Sequence, residues 1–134
     1  MKFVLDTNAM TRLFRREPAF VQQLLAKHRA DVYVPEVVFA EMALGVERLG
    51  KTKRAKTIQS FIDDMREEFQ IAMWTPEVSD HFGRVKAKLE TRGAKVEDFD
   101  IAIAAHALAV DATLVTSNRK HFERIDELMI EDWA

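Results

Sequence analysis

The chain has 134 residues, 48% of them hydrophobic, with 20 Lys and Arg against 22 Asp and Glu and a net charge of −2. That length suits one domain, expected to span residues 1–134 and to bury on the order of 70% of the surface its unfolded form exposes. Cysteine is absent, which excludes disulfides, thiolate metal sites and a cysteine nucleophile and suits a reducing cytoplasm, while the balanced charge neither announces nor excludes a nucleic-acid binder.

The first apolar run, Lys2-Phe3-Val4-Leu5, meets Asp6 and is too short for a signal-peptide core. It reads as a buried strand, and Asp6-Thr7-Asn8 opens the helix that follows. Pro18 starts a second helix with Phe20, Val21, Leu24 and Leu25, and Val32-Tyr33-Val34 is a second strand closed by Pro35. Helical patterns cover residues 36–49 and 52–69, the latter with a stripe of Ala55, Ile58, Phe61, Ile62, Met65 and Phe69. Residues 71–74 form the expected third strand. Pro76 starts a helix striped by Val78, Phe82, Val85 and Leu89 and stopped at Gly93.

Residues 98–110 form a nearly all-apolar helix, about half the length a membrane span requires when its uncharged part is counted. No membrane association is expected. Residues 113–116 are a fourth strand, 120–124 a short helical turn and 128–130 a last strand. Strands alternating with helices give an α/β fold, a three-layer α/β/α domain around a mainly parallel sheet.

In such a sheet, ligands collect where loops and helix N-termini meet the carboxyl ends of the strands. Asp6 ends the first strand, Ser117 and Asn118 follow the fourth, and Asp100 lies in the first turn of the helix leading into it. Asp6 also suits a helix N-cap. Asp98 is the expected cap of the apolar helix, which leaves Asp100 on a face with Ile103, Ala104 and Ala107, where an acid needs a partner. Glu41 is flanked by Val37, Val38, Leu44 and Gly45 and reads either as a solvated helix edge or as a third acid of the same cluster. Three such acids suggest a hard divalent cation, Mg²⁺ or Mn²⁺. His28, His81, His106 and His121 have no zinc-ligand spacing. His28 and His81 read as exposed helix positions, His106 as a half-buried, satisfied histidine, and His121, close to Asn118, either as a surface residue or in a supporting role at the site.

Four segments in order, Leu5-Asp6-Thr7-Asn8, Glu41-Met42-Ala43-Leu44-Gly45, Asp100-Ile101-Ala102-Ile103-Ala104-Ala105, and Leu114-Val115-Thr116-Ser117-Asn118 with Phe122, resemble the motif set of VapC-type PIN domains. The resemblance covers essentially the whole chain. It implies a toxin of a toxin–antitoxin pair and a metal-dependent endoribonuclease leaving 5′-phosphate and 3′-hydroxyl ends. Asp6, Glu41 and Asp100 would surround the metal, Asp6 and Asp100 as direct ligands, and Glu41 would hold or deprotonate the attacking water. Asn8 and Thr116 would orient that shell, with Ser117 and Asn118 beside them. Asn118 stands where many PIN domains carry a fourth acid, so a second metal would bind more weakly or only with substrate.

The ending Ile130-Glu131-Asp132-Trp133 is similar to a subgroup that cuts initiator tRNA in its anticodon loop, although a terminal aromatic also anchors a last strand. A VapB-type antitoxin and a homodimer are implied as partners. Basic residues flanking the site, Arg12, Arg15, Arg16, Arg119 and Lys120, are the candidates for gripping RNA, and Lys51, Lys53, Arg54 and Lys56 read as a solvated face. A catalytically silent PIN fold that binds RNA or a partner is the alternative. A phosphoacceptor domain would want an adjacent acid pair after the first strand and a lysine after the fifth, and a haloacid-dehalogenase-like phosphatase would want an acid at Asn8.

Overall fold

The computed structural model describes residues 1–134. Five short strands, β1 (Phe3–Leu5), β2 (Val32–Pro35), β3 (Gln70–Ala72), β4 (Thr113–Val115) and β5 (Ile130–Glu131), form one sheet in the order β3-β2-β1-β4-β5. Every pairing is parallel. The helices are α1 (Thr7–Phe14), α2 (Pro18–Leu25), α3 (Glu36–Leu49), α4 (Lys53–Glu68), α5 (Pro76–Thr91), α6 (Asp98–Ala109) and α7 (Arg119–Phe122), with one 3-10 turn at Arg29–Asp31.

All residues of β1 and β4 are buried. Successive strand residues point to opposite faces, so burial of every one means that both faces of the sheet are covered, the pattern of a parallel sheet between helical layers. The core runs through both central strands and into α6, whose residues Ile101 to Ala107 are all buried. Trp133 seals one end at 2% exposure, edge-on to Phe3 at 5.4 Å and tilted against Phe20 at 5.5 Å. No helix is long and apolar enough to cross a membrane.

Several helix ends have a local cause in the sequence. Thr52 caps α4 by accepting from the Ala55 amide at 3.1 Å, and Pro18 and Pro76 occupy first-turn positions. Beyond α5 the Ala94 amide reaches back to the Leu89 carbonyl and the Gly93 amide to that of Glu90, with Gly93 at φ +66°. This closing pair needs a left-handed residue, which glycine adopts without a Cβ penalty.

Several boundaries differ from the sequence reading. The third strand lies at Gln70–Ala72, not 71–74, because its partner β2 ends at Pro35, opposite Ala72, where α3 begins. Met73 and Trp74, apolar enough to read as strand, are exposed. The last strand is Ile130–Glu131 because Leu114 and Val115 of β4 set its register. The short helix starts one residue early, at Arg119. Asp98 does not cap α6. Glu97 holds the cap position without a side-chain bond, and Asp98 pairs with Lys86 at 2.9 Å. His28 precedes the 3-10 turn and lies outside any α-helix, whereas His81 is half-buried on α5.

Candidate active site

β1 and β4 are hydrogen-bonded neighbours, with Leu5 opposite Val115, so the residues just beyond them, Asp6 and Thr116, emerge side by side. The Asp6 amide still donates to the Val115 carbonyl at 3.3 Å. Asp6 also caps α1, its Oδ1 accepting from the Ala9 amide at 2.7 Å. The cap and the site are therefore one residue. Asp6 is 3% exposed, and burial pushes its carboxyl up to about 6. The Thr116 hydroxyl and the Ala9 amide pull it back down, and the charges of Asp100 and Glu41 add to the rise.

Asp100 and Glu41 share a cleft of about 550 Å³ with Asp6, Asn8 and Asn118 at this end of the sheet. Asp100 is half-buried, and burial raises its carboxyl above the ordinary range while the contact with His121 opposes that rise. His121 Nδ1 lies 3.0 Å from Asp100 Oδ2. Glu41 is held from the other side: its Oε1 accepts a hydrogen bond from the Thr7 hydroxyl. No three carboxylates or imidazoles are gathered closely enough to enclose one ion. The donor set still suits a hard cation that keeps several waters, since it consists of carboxylate and amide oxygens around a buried carboxyl whose neighbours are like-charged.

The remaining expected site residues divide. Asn8 lines the cleft, its Oδ1 accepting weakly from Arg12 Nε at 3.4 Å. Thr116 is buried beneath Asp6, and its Oγ1 accepts the Asn118 amide at 2.9 Å. Ser117 turns away, donating to Asp132 at 3.0 Å. Among the basic candidates, Arg12 is paired with Glu17 at 2.7 Å, Arg15 is exposed, and Arg16 lines a separate groove between α1, α2 and α4. Arg119 is exposed, and Lys120 lines a larger cleft that adjoins the acids. The cluster Lys51, Lys53, Arg54 and Lys56 is exposed.

Sequence reasoning missed Thr7 and Arg48, and of its two readings of His121 the contact with Asp100 favours the supporting role. Thr7 and Arg48 line the acid cleft. Arg48 stands seven residues beyond Glu41, two helical turns along α3, and that spacing was the available signal. The one buried histidine, His106, is not part of the site. His106 Nδ1 bonds the Ala102 carbonyl at 2.8 Å while Nε2 has no partner, and burial lowers its pKa. It is thus buried and only half satisfied.

An all-parallel sheet with acids converging at its carboxyl edge is the arrangement of a PIN domain, and the PIN-domain family model matches residues 3–128; the chain belongs to that family. Within the family it is similar along its whole length to VapC proteins. Ribonuclease VapC2 of Rickettsia felis is 32% identical over 99% of this chain and 98% of its own length. The tRNA(fMet)-specific endonuclease VapC of Shigella flexneri is 28% identical over 100% of this chain and 99% of its own. Among solved structures, VapBC2 from Rickettsia felis bound to a promoter DNA fragment has a chain that superposes with a TM-score of 0.88 at 29% identity, covering 100% of both chains.

Proposed function

We propose that this chain is the toxin of a VapBC-type module and an endoribonuclease that hydrolyses RNA phosphodiesters with Mg²⁺ or Mn²⁺. The observation that carries the reading is the meeting of Asp6, Glu41 and Asp100 in one open cleft at the strand ends. The names of its VapC relatives support RNA as substrate, and one of them supports initiator tRNA as the RNA cut. A VapB-type antitoxin as partner is supported by the VapBC complexes whose toxin chains share the fold. In this reading residues 1–134 act as one cytoplasmic domain, assembled as a homodimer.

Asp6 and Asp100 would hold the cation directly, with Glu41 completing the shell directly or through water. When bound, the cation supplies polarisation of the phosphate and acidification of a water. Glu41, fixed by the Thr7 hydroxyl, takes the proton of the attacking water as the water oxygen bonds to phosphorus and the P–O3′ bond breaks, the leaving 3′-oxygen taking its proton from solvent in the open cleft. His121 fixes the Asp100 carboxylate, Thr116 fixes Asp6, and Asn8 orients the edge of the shell. Arg48 and Asn118 line the same cleft and can donate to the phosphate without adding negative charge.

The test is incubation of purified protein with separate initiator and elongator tRNAs in Mg²⁺ and in excess chelator. Cutting of initiator tRNA alone, stopped by chelator, is the expected result. Equal cutting of both would remove the tRNA assignment and leave the nuclease. Full activity in chelator would remove the metal. The neutral Asn118 favours a second reading, a silent PIN fold that binds RNA or a partner without cutting. Binding without cleavage in Mg²⁺ and Mn²⁺ is its signature.

A further inference from the structure

Most residues lining the acid cleft are polar or charged, and its two apolar side chains are Leu44 and Phe99, both exposed. Phe99 is the odd member of α6. From Ile101 to Ala107 that helix places every residue in the core, yet Phe99, one position before Asp100, leaves 36% of its surface in solvent. It also lines a second, larger cleft of about 890 Å³ that runs from Asp100 past the loop after α5 to α7. A flat apolar ring therefore stands where the two clefts join.

The larger cleft also carries Lys86, Lys95, Lys120 and Arg124. Lys86 is taken by Asp98, but Lys95, Lys120 and Arg124 enter no ion pair. Glu90, Glu97, Asp98 and Asp100 line the same cleft, so the surface is mixed in charge and its free cations are interspersed with acids and apolar groups. That combination fits a single strand of nucleic acid, whose phosphates pair with separated cations and whose bases stack on aromatic rings.

We propose that Phe99 is a stacking platform for the nucleobase beside the scissile phosphate, with the flanking strand running along Lys95, Lys120 and Arg124. The proposal rests on the ribonuclease reading and names the part of the RNA that this side of the site holds. Stacking tolerates any base, so Phe99 contributes affinity and placement. It does not by itself choose a sequence.

Two readouts test it. In the first, Phe99→Ala, Phe99→Leu and Phe99→Tyr are compared in cleavage of a tRNA pool. The Ala and Leu variants should lose about tenfold in kcat/KM, mainly through KM, while Tyr stays near wild type; all should keep the wild-type melting temperature and Mg²⁺ requirement. In the second, Phe99→Trp is titrated in chelator with an anticodon stem-loop hairpin and with the same hairpin lacking its loop bases. Fluorescence beyond the Trp74 and Trp133 background should be quenched by the first hairpin only.

A Leu variant as active as wild type, or equal quenching by the abasic hairpin, overturns the platform. Quenching by an antitoxin C-terminal peptide and not by RNA overturns it too, and makes Phe99 part of a protein interface. If wild type cuts no RNA but the quenching still requires loop bases, the nuclease reading fails and with it the placement beside a scissile phosphate, while base stacking on Phe99 stands. Normal cutting without quenching fails the platform alone, and neither signal fails both.

Discussion

Asp6 is buried, ends a strand and starts a helix, and its carboxyl is raised to about 6 chiefly by loss of water. A carboxyl raised in the fold favours the folded state below its ordinary value of 3.8 and loses that advantage as pH rises through about 6. Ionised Asp6 therefore costs the metal-free protein about 3 kcal/mol at pH 7. Asparagine caps about as well and carries no charge. In chelator at pH 7, Asp6→Asn should melt at or above the wild-type temperature, and its advantage should shrink as pH falls toward 4. Scans across that range decide it, and a mutant that melts lower at pH 7 by the amount of a lost cap would contradict the argument. His121 makes the complementary case. It holds Asp100 at 3.0 Å, so His121→Ala should raise the Mg²⁺ concentration for half-maximal cleavage by about tenfold, with partial rescue by Asn. An unchanged Mg²⁺ curve would leave His121 a surface residue.

The elements explain why the acids meet. Asp6 and Asn118 are far apart in sequence but follow adjacent parallel strands, and α6 returns the chain so that Asp100 sits above the β4 end. Local patterns exposed this much beforehand: the apolar run of α6, the cap at Asp6 and the stop at Gly93 each have a local cause. What stayed hidden depends on partners that no local pattern names. The ends of β3 and β5 are set by the strands beside them. Arg12 reads as a free cation until Glu17 is seen against it, and His121 stays between a surface and a supporting position until α7 folds over Asp100. Trp133 is instructive in the same way. As part of a terminal sequence signature it pointed to substrate choice, yet its ring is packed between Phe3 and Phe20 and cannot touch RNA. Trp133→Ala should destabilise the fold by about 3–5 kcal/mol, measured by urea unfolding. A stable variant with altered tRNA preference would reverse that assignment.

For the whole molecule, a net charge of −2 means that RNA must be held by local cations at the cleft and against a background that repels it. Cleavage rates below saturation should consequently fall steeply with added salt, and Lys95→Gln with Lys120→Gln should flatten that dependence by roughly one unit of log–log slope per lost phosphate contact. An unchanged slope would place the RNA elsewhere. The central claim is that Asp6, Glu41 and Asp100 form one metal-dependent hydrolytic centre. Its most direct test is single-turnover RNA cleavage as a function of Mg²⁺ by wild type, Asp6→Asn, Glu41→Gln and Asp100→Asn, each first shown to be folded by its melting transition. The account predicts saturable Mg²⁺ dependence in wild type and a loss of at least about a hundredfold in each variant. Cleavage that persists at the wild-type rate in any folded acid variant, or that ignores Mg²⁺, would contradict it.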